Sequence, residues 1–162
     1  MTTTNGTLAI ERCKAAREIL VGSFLNRTFV ARTALLLAAK RGIDAIHIVC
    51  AGTNGEETDE DILGAGAIVD AGIAAAKSRS LFDPQSQKAS SEFLRVVNES
   101  NDLRGQLTAR LRQSLGGKNL IQLGMDSDLI LAATVDRCRL VPQQCPHAGT
   151  LMAFDDLKCI DS

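Results

Sequence analysis

The sequence is poor in aromatic residues: it has no tryptophan, no tyrosine and five phenylalanines among 162 residues. Proteins that bind single-stranded nucleic acid stack the bases on aromatic rings, and this chain offers few such rings. Its formal net charge is −1, so it has no basic field that would hold a phosphate backbone by counterion release. We therefore expect no nucleic-acid partner.

Long apolar runs and paired cysteines are also absent. The longest apolar run, near Ala34 to Ala39, is far shorter than the roughly 18 to 20 residues that cross a bilayer. The first seven residues have neither the basic nor the apolar part of a signal peptide. The five cysteines are odd in number and widely spaced, without a Cys-x-x-Cys pair. These features predict no membrane partner, no disulfide framework and a cytoplasmic location.

What is present is a strand–helix alternation. Two short apolar runs, 18–22 and 45–50, have the composition of buried strands. Each is followed by a helical pattern, the first over 27–40 with Gly42 as its C-terminal stop and the second over 59–77. Alternating strands and helices indicate a mostly parallel sheet with helices on its faces. The sequence thus predicts a single α/β domain over 1–162.

The second half is less regular. The sequence predicts, in order, a polar loop over 78–91, helices over 92–97 and 103–115, a stop at Gly116-Gly117, an extended segment over 119–123, a short helix over 126–134 and an extended segment over 139–142. The tail over 143–162 has no clear pattern. No repeat of fixed period is present.

The N-terminal run Thr2 to Thr7 crowds hydroxyls and an amide beside a helix predicted over 8–14. Free N–H groups and the helix dipole at such a start favour an anion such as phosphate or sulfonate. The alternative is that these residues only cap the helix. A turn of this kind needs a strand before it, which predicts that Met1 falls inside a domain. The candidate anion-binding residues are Thr3, Thr4, Asn5, Gly6 and Thr7.

A second candidate loop follows the second predicted strand and contains Gly52, Thr53 and Asn54. Ligands of open α/β sheets bind in the crevice at the carboxyl ends of the strands, where this loop would lie. The alternative is an ordinary turn that needs glycine and asparagine. Ser23 and Asn26, which follow the first predicted strand, would approach the same crevice as substrate donors or serve as helix caps.

An acidic run over 56–61 follows that loop. Mg²⁺ prefers one or two carboxylates together with phosphate and water, so carboxylates beside a phosphate-binding turn would suit it. Acidic residues also favour the first turn of any helix by complementing its dipole. Glu60 and Asp61 are the candidate metal ligands, since they lie inside the predicted helix start.

Taken together, four segments resemble the 2-phosphosulfolactate phosphatase family in order and spacing. They are Thr2-Thr3-Thr4-Asn5-Gly6-Thr7, Val21-Gly22-Ser23-Phe24-Leu25-Asn26, Val49-Cys50-Ala51-Gly52-Thr53-Asn54-Gly55 and Glu60 to Asp70. A later segment, Ser114 to Leu120, resembles the C-terminal motif of the family. Each segment is weak alone, but their order is specific.

The resemblance implies a three-layer α/β sandwich with a mostly parallel sheet, of which this chain is an incomplete copy that corresponds to the C-terminal two-thirds. It implies Mg²⁺-dependent hydrolysis of (2R)-2-phospho-3-sulfolactate to (2R)-3-sulfolactate and phosphate, a step of coenzyme M biosynthesis. The threonine loop, Ser23, Asn26, the Gly52–Asn54 loop and Lys118 would bind the substrate, and Glu60 and Asp61 would bind the metal.

Two departures leave alternatives open. The family carries a segment before the threonine loop with an Asp-x-x-Arg motif, and it often has His-Gly-Arg where this chain has Gly116-Gly117-Lys118. Lysine supplies a point charge without the bidentate fork of arginine. The chain would then be a phosphatase, a non-catalytic anion-binding remnant, or a phosphatase for another phosphorylated hydroxy acid. An open sheet edge would favour association between copies.

Overall fold

The computed structural model describes residues 4–53, 55–144 and 151–155, the last range and Thr4 by backbone only. Within that part, the chain forms seven α-helices, a 3₁₀ turn at Phe24–Asn26 and one antiparallel pair of strands. The helices are α1 (Thr4–Arg12), α2 (Arg27–Arg41), α3 (Asp59–Ala76), α4 (Pro84–Glu99), α5 (Leu103–Gln113), α6 (Leu115–Gln122) and α7 (Asp126–Ala132), and the strands are β1 (Leu140–Gln144) and β2 (Leu151–Asp155).

The predicted fold class is wrong for the described residues, which form a mainly helical structure without a parallel sheet. The only strands there, β1 and β2, pair antiparallel with Val141 opposite Phe154. The first predicted strand, 18–22, forms a single antiparallel bridge from Leu20 to Gln143 of β1. The second, 45–50, lies in no helix or strand of the described residues. A parallel sheet needs two strands side by side, and these two segments do not pair.

The two helices predicted with end signals are confirmed. Helix α2 ends at Gly42, whose left-handed backbone (φ 60°) lets its N–H bond to the carbonyl of Ala38. Glycine is favoured in that conformation because it has no side chain to clash. Helix α3 begins after Thr58 with Asp59, Glu60 and Asp61 in its first turn, where carboxylates complement the helix dipole.

The loop predicted over 78–91 is wrong from Pro84 onward. Pro84 is the first residue of α4, and the Asp83 carboxylate caps the helix by accepting from the N–H groups of Gln85 (2.8 Å) and Ser86 (3.0 Å). Proline suits this position because its missing N–H would have no helical partner there. The predicted loop contained Pro84, whereas Pro84 begins a helix.

The stop at Gly116-Gly117 and the extended segment over 119–123 are also wrong, because both lie within or beside α6. Ser114 caps this helix by accepting from the N–H of Gly117 at 3.0 Å. A Cβ on Gly117 would lie 1.7 Å from the carbonyl oxygen of Leu111. Gly117 therefore permits close packing on the end of α5 and does not end a helix.

Three further predicted elements form with shifted ends. The short helix predicted over 126–134 forms as α7, and the extended segment over 139–142 forms most of β1. The predicted helix over 8–14 starts earlier, since α1 already includes the backbone of Thr4. Of the tail over 143–162, residues 143–144 end β1 and 151–155 form β2, and the rest lies outside the described residues.

The hydrophobic core lies where α3, α4, α5 and α7 meet. Phe93 of α4 is fully buried, and its ring stacks on that of Phe24 with 6.3 Å between centroids. The buried cluster comprises Phe24, Ala67, Phe93, Val96, Leu107, Leu111, Leu129 and Ala133. Among the described helices, none is long and apolar enough to span a membrane. Packing α3 against α4 places the first turn of α3 at one end of this core.

Candidate functional site

An open cleft of about 920 Å³ lies between segment 46–50 and helices α3 and α4. Its lining includes the first turn of α3 and the turn around Gly52. Its charged lining is divided between two kinds of side chain, the acidic Glu56, Glu57, Asp59, Glu60, Asp83 and Glu92 and the basic Lys88, Arg95 and Arg110. Of the candidates predicted from sequence, Gly52 and Glu60 lie in this lining.

Asp61 ties the Gly52 turn to the start of α3. Its Oδ2 accepts from the backbone N–H of Gly52 at 3.1 Å and from the Thr58 hydroxyl at 2.6 Å. The turn itself closes by reciprocal backbone bonds between Thr53 and Glu56, at 2.9 and 3.1 Å. Asp61 therefore already positions the loop that was predicted to bind the substrate.

Gly52 is required by the shape of this turn. Its φ is +69°, and a Cβ built on it would lie 2.7 Å from the carbonyl oxygen of Glu56. Both the backbone conformation and the short approach exclude a larger side chain.

Glu60 joins two segments that are far apart in sequence. Its Oε1 accepts from the backbone N–H of Gly116, in the first turn of α6, at 3.3 Å. A Cβ on Gly116 would lie 2.8 Å from the same oxygen, so glycine leaves room for the carboxylate. The predicted acidic run and the C-terminal motif thus meet, and the N-termini of α3 and α6 face one site.

The second oxygen of Glu60, Oε2, is buried and has no hydrogen-bond partner among the described residues. An unpartnered buried carboxylate oxygen is costly, and a cation is one group that would satisfy it. The described residues contain no group of three or more His, Cys, Asp or Glu side chains that could hold a metal. Mg²⁺ commonly uses one or two protein carboxylates with water and phosphate. Glu60 offers an unpartnered oxygen for such an ion, whereas Oδ2 of Asp61 already accepts from Gly52 and Thr58.

Asn26 and Ser23 are committed to the fold. Asn26 is 5% exposed, and its amide donates to the carbonyls of Val21 (3.1 Å) and Leu140 (3.0 Å). Its Oδ1 accepts from the backbone N–H of Ser23 at 2.8 Å. Every polar group of this side chain therefore has a protein partner, and it joins the first predicted strand to β1.

The remaining candidates are placed only in part. Thr3 and Asn54 lie outside the described residues. The backbone of Thr4 and residues Asn5, Gly6 and Thr7 form the start of α1, which is not among the elements that line the cleft. Thr53 closes the Gly52 turn, and Lys118 is exposed on α6. The structure therefore joins the second loop, the acidic run and the C-terminal motif, and does not bring Asn5, Gly6 and Thr7 into the lining of the cleft.

A cluster around Arg27 was missed by the sequence reasoning. The guanidinium bonds to the Asp70 carboxylate at 2.9 Å and to that of Asp136 at 3.3 Å, and it lies 5.1 Å from the centroid of the Phe93 ring. Asp136 also accepts from the backbone N–H of Thr28 (2.8 Å) and from its hydroxyl (2.7 Å). The available signal was Asp70, which shares a face of α3 with the close-packed Gly66.

Cys50 lies at the end of segment 46–50 and lines the cleft. Burial raises the pKa of its thiol, and the nearby carboxylates of Asp61 and Glu57 raise it further. The thiolate is the nucleophilic form of cysteine. A raised pKa keeps Cys50 protonated at neutral pH, so this environment does not activate a nucleophile.

Comparison with known proteins gives the family. The sequence profile of the 2-phosphosulpholactate phosphatase family matches residues 1–146. Proteins named "Probable 2-phosphosulfolactate phosphatase" are similar to this chain in Caldanaerobacter subterraneus subsp. tengcongensis (36% identity over 144 residues, 88% of this chain and 53% of that protein), Deinococcus radiodurans (35% over 147 residues, 90% and 55%) and Thermotoga maritima (36% over 142 residues, 88% and 54%).

The chain thus spans about half the length of these curated relatives. The match nevertheless covers most of this chain, including the Gly52 turn, the acidic run and the α6 motif. These are the segments that the structure brings together in the cleft. The chain therefore belongs to the 2-phosphosulfolactate phosphatase family.

Proposed function

We propose that this chain contributes to a 2-phosphosulfolactate phosphatase, which hydrolyses (2R)-2-phospho-3-sulfolactate to (2R)-3-sulfolactate and phosphate with Mg²⁺, in the route to coenzyme M. The observation that carries the proposal is the unpartnered Oε2 of Glu60 at the junction of two helix N-termini. The names of the relatives supply the substrate. We further propose a cytoplasmic location, where free thiols such as Cys13, Cys50 and Cys138 persist.

The electrostatics of the cleft explain why a metal is part of the proposal. The helix N-termini of α3 and α6 favour a bound anion, because their N–H groups and dipoles are directed to it. The carboxylates of Glu56, Glu57 and Glu60 would repel the same phosphate. A bound Mg²⁺ would neutralise the phosphoryl charge and polarise its oxygens.

The side chains would then act by positioning. Glu60 would hold the metal through Oε2 while its Oε1 stays on the N–H of Gly116. Asp61 would complete the carboxylate pair and keep the Gly52 turn in place. The turn of Gly52, Thr53 and Asn54 would bind the phosphoryl group through the Thr53 hydroxyl and the Asn54 amide, because the N–H groups of Gly52 and Thr53 already donate to Asp61 and Glu56. Lys118 would supply a cation to the sulfonate or phosphate.

The other predicted binding residues have two different roles in this proposal. The N-terminal run Thr3 to Thr7 is retained as an anion-binding segment, on the resemblance alone. Ser23 and Asn26 would act indirectly, because the amide of Asn26 is fully used by the backbone. They would hold the turn before α2 and not touch the substrate.

The test is phosphate release from 2-phosphosulfolactate by the purified chain, with Mg²⁺, without it and with a chelator. Glu60→Gln should weaken binding of Mn²⁺, used as a paramagnetic substitute for Mg²⁺, by at least about tenfold and abolish metal-dependent turnover. Glu11→Gln, which removes one exposed charge from α1, is the matched control and should change neither quantity.

Three results would replace the proposal. Metal binding that is unaltered in Glu60→Gln would remove Glu60 as a ligand. Binding of both the metal and inorganic phosphate without turnover of any phosphorylated acid would identify a non-catalytic anion-binding protein. Faster turnover of another phosphorylated hydroxy acid would change the substrate, a result that the lysine at position 118 would help to explain.

A further inference from the structure

The segment 44–51 lies in no helix or strand and has no backbone partner among the described residues. None of its backbone N–H or C=O groups makes a hydrogen bond within the described part of the chain, up to Gly52, whose N–H bonds to Asp61. Eight consecutive residues with unpaired backbone groups form a template for strand addition. In other proteins, extended peptides bind to such edges through main-chain hydrogen bonds and pockets for alternate side chains.

The side chains of this segment are apolar and exposed. Ile46 is 48% exposed, Ile48 41% and Val49 55%. Side chains alternate between the two faces of a strand, so Ile48 and Val49 would lie on opposite faces once the segment paired as one. Apolar side chains would then be available on both faces, and the backbone groups of both edges are unpaired among the described residues.

A second open backbone position lies nearby in sequence. Leu20 pairs with Gln143, and the flanking bonds run from Val21 to Pro142 and from Gln144 to Ile19. These bonds use one edge of the segment 18–22, and the opposite edge has no strand among the described residues. An occupant that supplied more than one strand would satisfy both segments.

We propose that segment 44–51 is the docking site for a polypeptide equivalent to the part of the curated relatives that lies outside their match to this chain. That part is large, since the matched region is 53% to 55% of the length of the relatives in Caldanaerobacter, Deinococcus and Thermotoga. A second copy of this chain that paired through segment 44–51 would cover one edge of each copy. The two free edges and two exposed faces call for a larger occupant with strands and apolar side chains of its own.

The inference is independent of the phosphatase proposal, because its readouts are binding and backbone protection. The probe is the portion of the Deinococcus radiodurans relative outside the match, produced as a separate polypeptide and mixed with this chain. Titration calorimetry should show one-to-one association. Hydrogen–deuterium exchange at 44–51 should be fast in the free chain and at least about tenfold slower in the mixture.

Two variants localise the contact. Ile48→Pro removes one N–H that strand pairing would use and should weaken association about tenfold, the effect of losing one backbone bond. Val49→Lys places a charge on the exposed face and should weaken it similarly. Leu81→Lys, at an apolar position that is 72% exposed in the loop before α4, is the matched control and should bind as tightly as the original chain.

Circular dichroism must first show that each variant retains its helices. The binding results then either support or overturn the proposal. Association with protection at 44–51, lost in Ile48→Pro and Val49→Lys and kept in Leu81→Lys, supports the proposal. It is overturned if the probe does not bind, or if the two strand variants bind like the control. It is also overturned if the chain dimerises alone in light scattering and Val49→Lys makes it monomeric, since a second copy then occupies the strand.

Discussion

Replacing Gly66 by alanine tests the packing of α3 on α4, the contact that positions the cleft. A Cβ on Gly66 would lie 2.1 Å from the carbonyl oxygen of Ala89 and 3.2 Å from the Cβ of Phe93. Ordinary contacts are more than about 1 Å longer than the first of these distances. Because the obstructing atom belongs to the backbone of α4, no side-chain rotation relieves the clash, and the two helices must separate.

Two opposing effects set the magnitude. Alanine in place of glycine within a helix stabilises it by about 1 kcal/mol. Inserting a methyl group into a close-packed contact costs about 1–3 kcal/mol, and the upper part of that range applies where the backbone must move. We therefore expect Gly66→Ala to lower the free energy of unfolding by about 1–2 kcal/mol.

Gly64 provides a matched control on the same helix. A Cβ at this position meets no atom within 4 Å, so only the helical preference acts. Gly64→Ala should raise the free energy of unfolding by up to about 1 kcal/mol. Urea denaturation followed by far-ultraviolet circular dichroism suits the measurement, since the chain has no tryptophan or tyrosine to report by fluorescence. Equal stabilities for the two variants would refute the packing argument.

Two further predictions concern the Arg27 cluster and Cys50. Asp136→Asn should lower the free energy of unfolding by about 1 kcal/mol, because it removes the charge that caps α2 at Thr28 and pairs with Arg27. Asparagine tolerates the positive φ of 53° at this position, so the backbone is not strained. Urea denaturation measures the change, and an unaltered free energy of unfolding would contradict the capping role. At about pH 8, Cys50 should react with iodoacetamide more slowly in the native chain than in urea, because burial raises its pKa, and Glu57→Gln should speed the native reaction by removing one carboxylate that raises it. Mass spectrometry of the modified peptides follows this site, and a native rate equal to that in urea would contradict the raised pKa.

The parts of the fold that sequence could predict are those whose ends carry their own signals. Gly42 and the acidic first turn of α3 fixed two helices almost to the residue. Pro84 was ambiguous, because proline interrupts a helix in its interior but favours its first turn. The preceding residue, Asp83, caps the helix, so Pro84 stands in the first turn. Gly117 was ambiguous in the same way, and its reason is the 1.7 Å approach to Leu111 of α5, a tertiary contact that no local pattern contains.

The parallel sheet failed for a different reason. The run over 45–50 has the composition of a buried strand, yet it lies in no strand of the described residues. A strand becomes part of a sheet only through a partner, and composition does not say where that partner comes from. The error therefore lies in assuming a pairing partner that the described residues do not supply.

In the candidate site, too, residues with a local sequence signal were found and a residue that depends on a distant contact was missed. Glu60 and Asp61 were found because carboxylates beside a phosphate-type turn suggest a metal, and the structure adds the unpartnered Oε2 of Glu60. Whether they bind Mg²⁺ stays a prediction. Asp136 was missed because its partner Thr28 lies 108 residues away, and no spacing rule relates the two.

The long reach of that last contact bears on how the chain is made. Helix α2 has no side-chain cap from its own preceding residue, Asn26, and Asp136 supplies one instead. Ribosomes add about 5 to 20 residues per second, so roughly 5 to 20 seconds pass between synthesis of Thr28 and synthesis of Asp136. A helix of 15 residues is marginal without tertiary support. During that interval α2 lacks its N-terminal side-chain cap, and the helix gains this cap only after Asp136, 108 residues later, has been translated.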